Sequence, residues 1–488
     1  MEPVDAERAR QLSLFRPLGP SSPVALPLVV VAALGGANLA GGDYQLTCTP
    51  IRTTSIAVTN SPCPTGYQRN SCGYCKSDDG SASYYTSSVA VRPEHYGILV
   101  DRGWRRSGNL YYKQNLRRSC CPHYTLRLEA SAYQSRRDQR KAINRWNNYI
   151  LGPEYIRKAA RLCPRTREEK KFRKCNFDVL SAVHDSEYSH IKRPIDPSTK
   201  RPIEPAHRFE VNIEADSPSQ AKYELFLKYQ TTVHKEDLSK WKVKDFTRFL
   251  CSGIKRSPAE VKKSNESEKK LGSWHQCYRL DGKLIAVAVL DLLPSGVSSV
   301  YVFYDPDYEQ WEFGKLSALR EIAFAQENGY PYYYMGYYIH NCQKMRYKGT
   351  FRPQYILDPE SNGWDPLDGE LSKKLDSRPY VSLSRDRSES SSADDSPSKE
   401  ESVDLANEEA LSLFDIHMPG VLTLDQVNAL NLGNWNLLYH GTFVHFSDLV
   451  GWEKMAYNNP QSVKGIVGEL AAALGPEIVK DSAVVLFD

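Results

Sequence analysis

Two tight cysteine pairs constrain this chain more than any other feature. Cys72-Gly73-Tyr74-Cys75 is a CxxC knuckle, and Cys120-Cys121-Pro122 follows after 44 intervening residues. Two residues between the first pair let both sulfurs face one ion, and Gly73 permits the tight turn. Adjacent cysteines point apart in a regular strand, so Cys120 and Cys121 need an irregular turn, which Pro122 suits. Four thiolates match tetrahedral zinc or an iron–sulfur cluster. The alternative is a redox CxxC plus two core cysteines. Cys63 and His123 are spare candidate ligands. The total of 11 cysteines is odd, and the pairing favours a reduced compartment with a metal over a disulfide framework. Cys163, Cys175, Cys251, Cys277 and Cys342 lack paired spacing and read as core or surface thiols.

Charge is distributed unevenly. The net value is only +4, but residues 101–175 carry 21 Lys+Arg against 6 Asp+Glu, an excess of 15. Such a block suits a polyanion, and equally suits a solvated helical face. Hydrophobic residues at 41% over 488 positions allow two or three cores. The apolar run Val24–Leu34 is shorter than the ~20 residues that span a bilayer. Glu2, Asp5 and Glu7 spoil the basic lead of an export signal, and Pro27 interrupts its core. Residues 1–65 therefore read as a disordered or variable extension. A Cys-rich, basic domain follows over 66–184. A linker over 185–207 holds Pro194, Pro197, Pro202 and Pro205. A second domain covers 208–380, an acidic Ser-rich disordered insert 381–405, and a C-terminal segment 406–488 is expected to pack on the second domain.

Within the second domain, Phe209–Ile213 alternates as a strand does. Ser217 and Pro218 have the chemistry of an N-cap and first helical residue. Lys255–Lys270 reads as a charged loop. Leu284–Leu290 and Val297–Phe303 read as strands, Gly314–Gln326 as a helix and Tyr332–Ile339 as a further strand. No Ser/His/Asp triad or phosphate-binding Gly-rich motif is visible.

Several rare peptides resemble eukaryotic arginyl-tRNA–protein transferases. In the first domain they are Ser71–Cys75, Asp101-Arg102-Gly103-Trp104-Arg105-Arg106-Ser107-Gly108 and Cys120-Cys121-Pro122. In the second they are Lys228-Tyr229-Gln230 with Val233-His234, Trp274–Arg279, Ser298–Tyr301, Tyr304–Tyr308, Tyr334–His340 and Lys344–Gly349. The resemblance spans about Tyr67–Asp368. It implies that Cys72, Cys75, Cys120 and Cys121 hold zinc or an iron–sulfur cluster. It also implies an α/β (α+β) fold: a small Cys-rich metal-binding domain with basic helices, followed by a GNAT-like acyltransferase domain. The implied activity moves arginine from arginyl-tRNA to the α-amine of proteins beginning with Asp, Glu or oxidised Cys, marking them for ubiquitin-dependent degradation. The implied partners are arginyl-tRNA, acidic acceptors and ubiquitin ligase machinery, with no membrane, in cytoplasm and nucleus. The first 65 residues and the acidic Ser-rich insert depart from the pattern.

An aminoacyl ester is already activated, so the chemistry needs positioning, oxyanion stabilisation and a route for the amine proton. His340 and Tyr337, at the end of the Tyr-rich strand, are the catalytic candidates. An acidic acceptor needs a cation, and Lys344, Arg346 and Lys348 offer one, although they suit tRNA phosphate or a solvated loop as well. Asp305 and Asp307 are candidates for the arginyl side chain. Arg102, Trp104, Arg105 and Arg106 are candidates for tRNA, with Tyr111, Tyr112 and Trp146 as stacking surfaces. One rival reading is an acetyl-CoA-dependent GNAT acetyltransferase. Its pyrophosphate cradle would fall on Asp307–Lys315, which has one glycine, three acids and large aromatics; no coenzyme A is expected. The other is a non-catalytic zinc-containing RNA-binding protein, which leaves the second domain unexplained.

Overall fold

The continuous apolar run that begins at Leu284 becomes the middle of a sheet covered on both faces, as such runs do. The computed structural model describes residues 28–33, 66–88, 91–256, 269–391, 411–439 and 442–487. The strands are β1 (Leu28–Ala33), β2 (Gly66–Asn70), β3 (Ser81–Ser88), β4 (Trp104–Ser107), β5 (Leu110–Gln114), β6 (Tyr124–Glu129), β7 (Phe209–Ala215) and β8 (Gly272–Leu280). They continue as β9 (Lys283–Leu293), β10 (Gly296–Tyr304), β11 (Tyr332–Tyr338), β12 (Tyr355–Leu357), β13 (Trp364–Pro366), β14 (Asn436–Tyr439), β15 (Thr442–His445) and β16 (Ser482–Phe487). The helices that frame the site are α1 (Pro93–Val100), α2 (Arg137–Leu162), α3 (Arg167–Cys175), α4 (Gln220–Tyr229), α5 (Phe313–Glu327), α6 (Gly369–Ser377), α7 (Leu383–Ser391) and α8 (Val463–Leu474).

The second sheet runs β13-β12-β6-β11-β10-β9-β8-β7. β7 to β10 form an antiparallel meander. α5 then crosses over to β11, which lies parallel to β10. Leu319, Ile322 and Ala323 of α5 are fully buried against this sheet. β7, β9, β10, β11 and α5 fall where the hydrophobic pattern puts them, whereas β8, β12 and β13 are strands that the pattern does not mark. α4 starts two residues later than expected, because the Ser219 hydroxyl, not Ser217, accepts the Lys222 amide as N-cap. Most of the loop expected over Lys255–Lys270 lies outside the described residues.

The first sheet runs β15-β14-β16-β1-β3-β5-β4, with β2 on β3. It overturns several boundaries. β1, from the supposed extension, pairs parallel with β16 and antiparallel with β3. The C-terminal segment joins this first sheet instead of the second domain, and α8 packs its apolar residues beneath it. Conversely β6, from the Cys-rich domain, is inserted between β11 and β12 of the second sheet. The 185–207 stretch is bound along the body: the Tyr188 amide donates to Phe209 O and the Ala206 amide to Leu151 O. Gly152, at φ +72°, kinks α2 where Ala206 presses against it. The start of the Ser-rich insert is ordered as α7, pinned where Ser382 and Ser384 bond the buried Asp358 carboxylate; residues 392–405 lie outside the described residues.

One ion pair fastens the two sheets. Asp291 interrupts the apolar run of β9 and Arg106 lies on β4. The Arg106 Nε and Nη2 grip the two Asp291 oxygens at 2.7 and 2.6 Å, with side chains 1% and 0% exposed. Ser273 donates to the same carboxylate at 2.5 Å. A buried charge with its partner removed is strongly destabilising, by about 3–5 kcal/mol. Arg106→Met, which strands Asp291, is therefore expected to lower stability by about that amount in chemical denaturation.

Candidate active site

β10 and β11 pair only between Gly296–Ser298 and Tyr332–Tyr334. β10 then stays with β9 across a register shift at Ser299/Tyr301, and β11 stays with β6 across one at Tyr334/Gly336. Each irregularity bends its strand toward its outer neighbour, so the two part. Gly336 sits at φ +73°, where a Cβ would meet Ser299 O at 3.2 Å and Lys348 Nζ at 3.7 Å. Only glycine takes this conformation freely. Into the gap reaches Lys348, whose ammonium donates to Met335 O at 2.9 Å and Tyr337 O at 3.0 Å. It supplies the donors that a neighbouring strand would have supplied. Burial, with the Arg105 charge nearby, pushes this lysine down to about 8.

On the β10 side, a π-helical turn over Gln230–His234 extends α4. Tyr301 donates to Gln230 Oε1 at 3.1 Å, with His234 Nε2 at 3.4 Å. On the β11 side, the Tyr337 ring lies 4.8 Å from the His123 ring and 6.2 Å from that of Tyr112. The Arg105 guanidinium stands 5.2 Å from the same ring. Tyr74, inside the cysteine knuckle, meets His123 edge-on at 5.0 Å, so the knuckle borders the gap. Beneath it α5 presents Glu321, fully buried, which accepts from the Tyr333 hydroxyl at 2.7 Å. Burial pushes this carboxyl up to about 7.

The four cysteines converge. Their sulfurs lie within 4.8 Å of one another, Cys75 and Cys120 are 3.2 Å apart, and no disulfide joins them. The Cys72 amide donates to Ser77 O, and the Lys76 amide returns to Cys72 O, which closes the knuckle. The Cys120 amide donates to Gly80 O and brings the second pair alongside. A Cβ on Gly80 would fall 2.5 Å from Cys120 Sγ, so the glycine is part of the cradle. Zinc–sulfur bonds of about 2.3 Å in a tetrahedron fit this spacing. Burial and the Cys75 thiol push Cys120 up to about 11, a penalty that a bound cation reverses.

Other sequence candidates are placed differently. Trp104 is fully buried and its indole donates to Ala473 O. Arg102 packs against Gly475 and Gly420. Arg106 is held by Asp291, Arg105 is 7% exposed, and Tyr111 and Trp146 are buried. Trp104, Arg105 and Arg106 are buried whichever way alternation along β4 points them, while Arg102, just before that strand, is half-buried. Asp305 is buried and spent on Lys228 and Lys283, whereas Asp307 is exposed and meets Lys228 through one oxygen. His340 bonds the Tyr338 hydroxyl through one nitrogen and Asp376 through the other, which ties α6 to the strand end. It has no nitrogen left for substrate. Lys344 and Arg346 are exposed, and Arg346 leans on Asp376. Within the 101–175 block, open cations lie on α2 and α3. Arg140, Lys141, Arg157, Arg161, Lys170 and Lys171 are exposed, with no ion pair among the described residues. The N-terminus of α5 carries Glu312, held by Lys315 and Arg145, behind Asp307 and Glu309. Acids there repel a pyrophosphate.

Among the described residues a second set, His184, Glu187 and His190, is close enough to hold an ion. It is already neutralised: Arg320 binds both Glu187 and Glu327, and His184 bridges the same two carboxylates.

Comparison with known proteins agrees with this geometry. Residues 70–141 match the family described as arginine-tRNA-protein transferase, N terminus, and residues 221–358 its C-terminus counterpart. The chain is 33% identical to arginyl-tRNA–protein transferase 1 of Saccharomyces cerevisiae over 56% of itself and 50% of that protein. It therefore spans about half the length of that relative. It is 28% identical to the Drosophila melanogaster protein of the same name, over 66% of itself and 85% of that chain. An 80-residue stretch is 51% identical to an aspartate/glutamate leucyltransferase of Pseudomonas fluorescens, covering 16% of this chain and 34% of the other.

Two outcomes follow. Cys75→Ser is expected to lose bound metal, measured by elemental analysis of the purified protein; full retention would refute the ligand set. Glu187 and Glu327 raise His184 to about 9. A histidine raised in the folded state stabilises fully below its unfolded value near 6.5 and less as pH rises through the folded one. The unfolding midpoint should thus fall between pH ~6.5 and ~9, and His184→Gln should flatten that slope.

Proposed function

This chain belongs to the arginyl-tRNA–protein transferase family, and we propose from that premise that it transfers arginine from arginyl-tRNA to the N-terminal α-amine of acidic acceptor proteins. The observation that carries the reading is the gap between β10 and β11, bordered by the cysteine knuckle and lined by Tyr301, Tyr337 and Lys348. Two substrates can meet there edge to edge, with the amine beside the ester carbonyl. The reaction makes an amide and releases the tRNA 3′ hydroxyl, so it needs no external energy source. Most of the acceleration then comes from holding the partners in line. The Lys348 ammonium fixes the carbonyl edge of the gap, and Tyr337 offers a buried hydroxyl beside that of Tyr112. Glu321, titrating near neutrality within electrostatic reach of Lys348, is the group best placed to take up the amine proton.

The tRNA is expected on the exposed basic face of α2 and α3, reaching the gap past Lys344 and Lys76, both of which act on His234 electrostatically. The four cysteines hold zinc or an iron–sulfur cluster in a structural role, fixing Tyr74 and His123 at the mouth. No described helix is long and apolar enough to cross a membrane; a place in cytoplasm and nucleus comes with the family reading alone. Handing the product to ubiquitin ligase machinery follows from the same reading.

The test uses labelled arginine on tRNA with peptides beginning in Asp, Glu or Lys. Ribonuclease-sensitive transfer to the acidic peptides alone is expected. Transfer of leucine in place of arginine, or transfer from acetyl-CoA, would sink the proposal. Charge reversal of Arg140 and Lys141 should raise the KM for arginyl-tRNA about tenfold and steepen nothing in peptide dependence, the signature of a phosphate contact.

A further inference from the structure

Arg105 and Arg106 are neighbours on β4, equally buried at 7% and 5% exposed. Their environments differ in one respect. Arg106 uses its Nε–Nη2 edge to grip both oxygens of Asp291. The same edge of Arg105 is empty: Nε and Nη2 are buried with no hydrogen-bond partner, and only Nη1 is used, on the Trp104 carbonyl at 2.8 Å. No carboxylate of the described residues forms an ion pair with Arg105. Asp101 acts on it from a distance without pairing with it, and its Oδ1 takes the Tyr334 hydroxyl at 2.9 Å and Arg127 at 3.7 Å. A guanidinium removed from water without an anion is costly, so the unfilled edge calls for a ligand that brings one.

The Arg105 guanidinium stands at the rim of the gap, against Tyr337. The guanidinium carbon lies 5.2 Å from the Tyr337 ring, whose buried hydroxyl has only the Tyr112 hydroxyl beside it. Lys348 is the second cation in electrostatic reach. Tyr337 and Tyr112 are each partly exposed, so the spot is approachable from solvent. A site this enclosed takes the tip of a short side chain; a phosphodiester backbone needs an open track.

We propose that Arg105 reads the acidic side chain of the acceptor, taking the carboxylate of an N-terminal Asp or Glu side-on by Nε and Nη2, beside the Tyr337 hydroxyl. This rests on the transferase reading above and names the residue that sets its acceptor class. The planar fork of arginine matches a carboxylate bidentately, and the sulfonate of an oxidised cysteine offers the same two oxygens. A neutral or basic first residue would leave the guanidinium unpaired, which accounts for selectivity by a cost to wrong acceptors.

Steady-state kinetics on the full-length chain, with Arg105→Met and Arg105→Lys, test it. Arg105→Met is expected to raise the KM for Asp- and Glu-initiated peptides about 10- to 100-fold, with kcat changed less and the KM for arginyl-tRNA unchanged. Arg105→Lys, which keeps the charge and loses the fork, should fall between. Calorimetry of an Asp-initiated peptide without tRNA should show binding to the wild type that Arg105→Met abolishes. Because it removes an uncompensated buried charge, Arg105→Met should unfold no earlier than the wild type, whereas Arg106→Met should unfold earlier. An unchanged peptide KM overturns the assignment, as does a rise confined to arginyl-tRNA, which would make the anion a phosphate. An Arg105→Met protein that unfolds as early as Arg106→Met also overturns it, since the role is then structural. A wild type that binds the acidic peptide through Arg105 but transfers no arginine refutes the transferase reading instead.

Discussion

The buried pair between Arg106 and Asp291 governs how the two sheets meet. Asp291 sits in the most apolar strand of the molecule, and a carboxylate there is tolerable only with a full partner. Arg106, with Ser273, provides it. Because strand side chains alternate, fixing Arg106 toward β9 fixes Arg105 toward the other side of β4. That side is the gap between β10 and β11. One ion pair therefore sets both the docking of the sheets and the direction of the neighbouring guanidinium.

The gap itself depends on backbone irregularity. Two strands that run parallel for three residues would go on pairing unless something diverted them. Here each is diverted toward its outer neighbour, at Ser299/Tyr301 and at Tyr334/Gly336. Gly336 gives the conformation, and Lys348 satisfies the carbonyls that the parting leaves bare. The cysteine cluster sits at the edge of this opening through Tyr74 and His123. Holding the knuckle rigid is thus holding one lip of the site.

Division of labour among the basic residues also follows from burial. The 101–175 block carries a large positive excess, but its first members are interior. Arg102, Arg105 and Arg106 serve packing, pairing and the gap, while the exposed cations of α2 and α3 face solvent. Charge counted along the sequence cannot separate these, because a strand with alternating inward faces and a solvated helix contribute equally to the sum.

Local signals in the sequence were enough for β7, β9, β10 and β11 of the second sheet, though not for β8, β12 and β13, and they were enough for α5 and for the convergence of Cys72, Cys75, Cys120 and Cys121. Apolar periodicity and tight spacing are short-range properties, and short-range geometry decides them. The family peptides likewise lie within single elements. Long-range pairing was not legible. That β1 and β16 close the first sheet, that β6 crosses into the second, and that the C-terminal segment joins the first sheet all depend on partners hundreds of residues apart. The same reason hid the roles of Arg105 and His340. A buried arginine with a carboxylate and one without look alike in sequence, and a histidine that has spent both nitrogens looks like a free base. Only the tertiary structure, by bringing Asp291 to one arginine and no paired carboxylate to the other, tells them apart.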